Sequence, residues 1–157
     1  MKILFLLCGK TSEAWVSKGM DIYAGRIKNY VQYNEKVLPD LKNTSKISSG
    51  EIKIKEGKLI LSEIEQTDFV VLLDENGTTY NSISFAAELQ KIMNTGVKRI
   101  IFVIGGPYGF SPDVYARANT KISLSKMTFS HQIVRVIFLE QLYRAFTILN
   151  NEPYHHQ

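Results

Sequence analysis

Three stretches concentrate residues able to do chemistry. The run Gly105-Gly106-Pro107-Tyr108-Gly109 follows Arg99 to Ile104, which reads as a buried strand. Three glycines in five residues let backbone approach a ligand closely, because no Cβ intervenes. The spacing is not Gly-x-Gly-x-x-Gly and no Gly-Lys-Ser/Thr follows, so neither a Rossmann-type dinucleotide site nor a P-loop is supported. The second stretch is Leu124-Ser125-Lys126-Met127-Thr128-Phe129, after a short strand containing Ile122 and Leu124. The third is the end of the chain, where Arg135 and Arg144 lie on an apolar helix and Tyr154-His155-His156 follows in a polar tail. Nine residues separate the two arginines, which sets them on roughly opposite sides of that helix. Each reads first as a solvated or ion-paired surface arginine, and the tail as a frayed terminus. The histidines have no accompanying pair at metal-ligand spacing, so no metal site is expected. Cys8 ends an apolar strand and reads as an inert buried thiol.

These segments need elements to position them. Lys2–Cys8, Phe69–Leu73 and Arg99–Ile104 read as buried strands, and Tyr33–Leu38 as a short polar edge strand. Helical spacing covers Glu13–Tyr30, with Ser12 a candidate cap, and Ser82 or Ser84 to Asn94. Ser48 and Glu51 form a capping-box pattern for a helix reaching Gln66. Ser111-Pro112 is an N-cap followed by proline at the first helical position. The last helix spans Ser130–Leu149. Ile133, Val134, Ile137, Phe138, Leu142 and Phe146 supply an inward stripe, and Val136, Leu139 and Tyr143 a second apolar side expected to meet a symmetry mate. Strands alternating with helices predict a single α/β domain over residues 1–157, a mostly parallel sheet with helices on both faces. In such sheets ligands sit beyond the carboxyl ends of the strands, where Leu73-Asp74 and the first two stretches all fall.

Composition narrows the class. The chain has 157 residues, 45% hydrophobic and 22% charged, which suits a folded domain rather than a disordered one. No apolar run approaches a membrane span, and the single cysteine fits a reducing compartment, so a cytoplasmic protein without membrane contact is expected. The net charge of +4 is uneven: +5 over residues 1–58, −3 over 59–120 and +2 over 121–157. Basic ends permit a nucleic-acid partner without demanding one. The residues alone leave three classes open: an enzyme acting on RNA, a non-catalytic RNA-binding module, and an enzyme using the glycine loop for a nucleotide phosphate.

Several segments together resemble one family. Phe102-Val103-Ile104-Gly105-Gly106-Pro107-Tyr108-Gly109, Leu124 to Gln132, Val134-Arg135-Val136, Glu140 to Ala145 and Pro153-Tyr154-His155 are similar to the RlmH (YbeA) family. These are SPOUT-class methyltransferases of large-subunit ribosomal RNA that use S-adenosylmethionine on N3 of a pseudouridine. The likeness runs the whole chain and is most specific in the C-terminal third; Pro39 to Thr67 match only in kind. The resemblance implies a C-terminal trefoil knot, a homodimer, and ribosomal RNA, in an assembled ribosome, as partner. It places the cofactor against Leu73, Gly105, Leu124, Ser125, Lys126, Met127, Thr128 and Phe129. Arg144, Tyr154 and His155 match the family's active-site positions. Within that frame His155 is a candidate base for the ring N–H, since histidine titrates near neutral pH. Arg144 is then the stabiliser of charge on the flanking carbonyls, and Tyr154 a stacking or hydrogen-bonding group. Lys10, Lys18 and Arg26 are candidates for RNA phosphates.

Overall fold

The computed structural model describes residues 1–156. Five strands form one all-parallel sheet in the order β2-β1-β4-β3-β5: β1 (Lys2–Cys8), β2 (Gln32–Leu38), β3 (Phe69–Thr79), β4 (Arg99–Ile104) and β5 (Thr120–Ser123). The central strands are the apolar runs. Phe5, Leu6, Val70, Val71, Leu72 and Ile100 to Val103 have no exposed surface, as a sheet covered on both faces requires. One face carries α1 (Ala14–Ile27), α3 (Ser82–Asn94) and α5 (Ile133–Leu149) over a core that includes Phe5, Phe102 and Phe138. The other carries α2 (Ser49–Ser62) and α4 (Pro112–Arg117) over Leu6, Leu72, Val103 and Phe110.

Local chemistry sets most helix starts. Ser48 and Glu51 make the reciprocal capping box of α2, and Ser111 caps α4 with Pro112 behind it. Helix α3 is capped by Asn81 rather than by a serine. Helix α1 has Glu13, not Ser12, at its N-cap and no side-chain cap; the Ser12 N–H donates to Gln132 Oε1 of the incoming last segment. Helix α2 ends at Ser62, and α1 at Ile27.

Three further departures shape the site. Strand β3 does not stop at Leu73. It continues through a bulge and re-pairs Thr78 and Thr79 with Ile122 and Ser123. A Cβ on Gly77 would fall 2.6 Å from the Ile122 backbone, so only glycine permits this approach. Helix α5 begins at Ile133, leaving residues 124–132 to cross from β5 at one sheet edge back to β1. There the Gln132 side chain donates to the Lys10 carbonyl. That return path, past the loop after β4, is consistent with a C-terminal trefoil knot. Finally, the apolar sides of α5 are distributed differently from expectation. Leu139 is fully buried in its own core, Val136 packs on Gly19, and Tyr143 packs on Tyr23 and Tyr30. The outward residues are Ile133 and Ile137, half-buried and outside both core clusters.

Arg135 corrects the surface reading. It is fully buried, and its guanidinium donates to the carbonyls of Cys8, Gly9 and His131 and to the Thr11 hydroxyl, at 2.8–3.0 Å. Burial lowers its pKa from the ordinary value. Three of its partners, the Cys8 and Gly9 carbonyls and the Thr11 hydroxyl, lie where β1 ends, so this one side chain clamps the start of α5 to the sheet.

Candidate active site

The carboxyl ends of β3, β4 and β5 open into a cleft of about 500 Å³. Leu73, Gly105, Leu124, Ser125, Met127, Thr128 and Phe129 all line it; Lys126 does not, and is exposed. The Ser125 hydroxyl accepts the Met127 N–H at 2.9 Å, and Ser123 donates to the Ser125 carbonyl, which folds this loop back on itself. Gly105 is required for a reason inside the protein. A Cβ there would lie 2.9 Å from the Phe110 ring, so the ring's place in the core fixes the glycine.

Sequence reasoning left the charge of the cleft unnoticed. The lining includes Asp74 and Glu75 but no lysine or arginine, in a chain of net charge +4. Asp74 is held in place: Oδ1 accepts the Asn76 N–H at 2.8 Å and Oδ2 accepts the Tyr115 hydroxyl. Tyr115 has its pKa pushed up to about 12, by burial first and then by that bond. The cleft therefore suits a cationic ligand with an apolar body and disfavours a phosphate chain. A sulfonium cofactor fits this lining, with Leu73, Ile122, Leu124 and Phe129 for its apolar part and backbone groups of the two loops for its polar ones.

Arg144, Tyr154 and His155 come together at another place. Arg144 Nη1 donates to His155 Nδ1 at 3.2 Å, and its guanidinium lies 4.7 Å over the Tyr154 ring. Glu140 joins them. It accepts from Arg144 Nε at 3.1 Å, from Arg144 Nη2, and from the Tyr154 hydroxyl at 3.0 Å. Glu140 keeps the Arg144 guanidinium above its ordinary pKa; burial, then hydrogen bonds with Tyr23 and Glu140, push up the Tyr154 phenol. Arg26 stacks on the Tyr23 and Tyr143 rings, 5.4 Å from each centroid, at the rim of the group. Lys10 and Lys18 are exposed elsewhere. Glu140 was not singled out from sequence, although its i, i+4 spacing to Arg144 is the signal of a helical ion pair.

The tail is docked rather than frayed. Asn151 takes a left-handed conformation after α5 and turns the chain back, the Glu152 N–H donates to the Thr147 carbonyl, and Tyr30 donates to Glu152 at 2.6 Å. A guanidinium only donates, so His155 Nδ1 accepts and the ring proton lies on Nε2 in this arrangement.

The two groups are separate within one chain. Val134 lines the cleft and Arg144 stands ten residues on, about 15 Å along the same helix. Among the described residues no group of three metal-ligating side chains occurs, and no helix is long and apolar enough to cross a membrane.

Comparison with known proteins agrees with this architecture. The rRNA large subunit methyltransferase H of Christiangramia forsetii is 57% identical over the full length of both chains, and that of Flavobacterium johnsoniae 53%. A solved structure of a probable methylase family protein from Haemophilus influenzae aligns with a TM-score of 0.53 at 12% identity. It covers 95% of this chain and 66% of the other, a likeness in fold. A family model described as a predicted SPOUT methyltransferase matches residues 1–155, and the chain belongs to that methyltransferase family.

Proposed function

We propose that the chain transfers a methyl group from S-adenosylmethionine to N3 of a pseudouridine in large-subunit ribosomal RNA. The observation that carries the cofactor assignment is the cleft at the strand ends, lined by Asp74 and Glu75 and by no lysine or arginine, within a basic protein. That charge argues against the nucleotide-phosphate reading. The bound cofactor would supply an electrophilic methyl group on a sulfonium, so the protein's task is to hold an acceptor nitrogen in line with it. Leu73, Gly105, Leu124, Ser125, Met127, Thr128 and Phe129 are the proposed cofactor contacts. The side chain of Lys126 is left outside that set.

The acceptor is a ring N–H between two carbonyls, and negative charge spreads onto their oxygens when the proton leaves. Arg144 and the His155 Nε2–H are donors suited to that charge. Tyr154, fixed by Glu140 and by the Arg144 guanidinium on its face, offers a ring edge and hydroxyl to the base. His155 acts as base only after Arg144 releases Nδ1. This group and the cleft of its own chain lie about 15 Å apart along α5, so the tail of one protomer serves the cleft of another in a homodimer. Trp15 and Ile22 on α1, both more than half exposed, and the outward Ile133 and Ile137 supply an apolar surface for that contact. The assembled ribosome is the proposed substrate, met in the cytoplasm, with Arg26, Lys10 and Lys18 toward RNA phosphates.

Calorimetric titration with S-adenosylmethionine and with a nucleoside triphosphate, followed by a tritiated-methyl assay on ribosomes, tests the reading. Binding of the first alone with label entering large-subunit RNA is expected. Triphosphate binding, or cofactor binding without transfer, would return the chain to one of the other two classes.

A further inference from the structure

The glycine wall of the cleft has little packing to hold it. Gly106, Pro107 and Tyr108 line the cleft on one side and a second cavity of about 570 Å³ on the other. A backbone segment with open space on both faces depends on discrete bonds for its position. Two consecutive residues of α2 hold it, one by a bond and one by close contact. Glu56 Oε1 accepts the Gly106 N–H at 2.8 Å. Next to it, Gly57 lies so close to the cap of α4 that a Cβ there would stand 2.3 Å from Ser111 Oγ. The loop from Gly105 to Ser111 is thus tied to one helix near both ends.

Glu56 is suited to this work. Among the described residues it has no lysine or arginine within ion-pair distance, so no side-chain cation competes for its carboxylate. Its charge also faces the Cys8 thiol, whose pKa is pushed up by burial first and by Glu56 next. A carboxylate accepting a backbone N–H makes a charge-assisted bond, stronger than a neutral one. A side chain at residue 106 would displace it, since a Cβ there would fall 2.5 Å from Oε2.

We propose that Glu56 is a positioning residue for cofactor binding. Through Gly106 it sets the glycine wall against which the cofactor lies, so part of the affinity of the cleft resides on a helix that does not line it. The proposal rests on the methyltransferase reading for the identity of the ligand. Its test compares wild type, Glu56→Gln and Glu56→Ala by amide hydrogen exchange at Gly106, by calorimetric titration with S-adenosylmethionine and by steady-state kinetics.

Glu56→Gln keeps an acceptor oxygen but loses the charge, and should retain most of the protection at Gly106 and most of the affinity, well above the alanine variant. Glu56→Ala should speed exchange at Gly106 and raise Kd and KM for the cofactor by roughly 10- to 100-fold, with kcat little changed. A purely structural role would lower the melting temperature without this split and without rescue by glutamine. Unchanged exchange at Gly106 in the alanine variant overturns the proposal, as does faster exchange with unchanged cofactor affinity, or a glutamine variant as weak as alanine. A wild-type chain that does not bind the cofactor overturns the functional reading instead, while the exchange data still report the Glu56–Gly106 bond. Should Glu56→Ala fail to fold, Glu56→Asp, with its carboxylate withdrawn by one methylene, replaces it under the same criteria.

Discussion

The strand-end cleft and the tail cluster stand toward opposite ends of α5 and are built from different materials. The cleft is backbone, glycine, apolar and small polar side chains, with Asp74 and Glu75 as its carboxylates and no lysine or arginine. The cluster is side chains almost entirely: a glutamate, an arginine, a histidine and tyrosines locked by ion pair, hydrogen bond and ring stacking. A surface of backbone and carboxylates suits a cationic cofactor. Fixed donors suit a nucleobase that becomes an anion. On the proposed reading the two halves of a methyl transfer are separated in the chain, and a second copy of it would join them.

The sharpest way to break this division is to remove one side of it. Deleting Tyr154 to Gln157 should leave folding and cofactor affinity near wild type and abolish methyl transfer to ribosomes. Arg144→Ala and His155→Ala should each cost about 10²- to 10³-fold in turnover, the range for loss of one preorganised donor. Weakened cofactor binding in the tail variants would show instead that the cluster also holds the cofactor, and the division would fail.

Joining the halves is the converse test. Ile137→Asp places a charge on the outward stripe of α5 and should shift the protein to monomer in sedimentation equilibrium, with activity lost. Mixing a cleft variant such as Thr128→Arg, which puts a cation on an exposed lining position, with the tail deletion, after subunit exchange, should restore about a quarter of wild-type activity. Half the dimers are then mixed, and each carries one intact composite site. No recovery in the mixture would place both halves of each site in the same protomer.

How much of this could be read beforehand follows the range of the forces involved. The buried strands were legible because burial on both faces demands unbroken apolar runs. The caps at Ser48 and Ser111 were legible because they are local. The extension of β3 through Asp74–Thr79 was not, since those residues are polar and their pairing depends on Gly77 meeting the backbone of β5. The burial of Arg135 was hidden for the same reason: its partners are carbonyls more than 120 residues away. In the site, the loops emerged both from the strand-end rule and from the family resemblance. Arg144, Tyr154 and His155 stood out by residue type, but their active-site role came from resemblance alone, and the structure adds that they meet at Glu140. Glu140→Gln should therefore lower turnover about tenfold while leaving cofactor affinity intact, because it loosens Arg144 and Tyr154 without removing either.

The smallest effect should come from the charge that distinguishes the cleft. S-Adenosylmethionine carries a sulfonium that its product, S-adenosylhomocysteine, lacks, so a carboxylate on the wall favours the cofactor over the product. Asp74 is anchored by Tyr115 and by the Asn76 N–H, so Asp74→Asn removes the charge while an acceptor oxygen remains for one of those donors. Two unit charges a few ångströms apart at an open, wet site are worth about 1 kcal/mol, or a several-fold change in affinity. The asparagine variant should bind S-adenosylmethionine several-fold more weakly and S-adenosylhomocysteine nearly as well as wild type, narrowing the ratio of the two Kd values. Added salt should narrow the wild-type ratio in the same direction, since the interaction is solvent-screened. Equal losses for both ligands would assign Asp74 to hydrogen bonding common to cofactor and product, and leave the acidity of the cleft without a part in telling them apart.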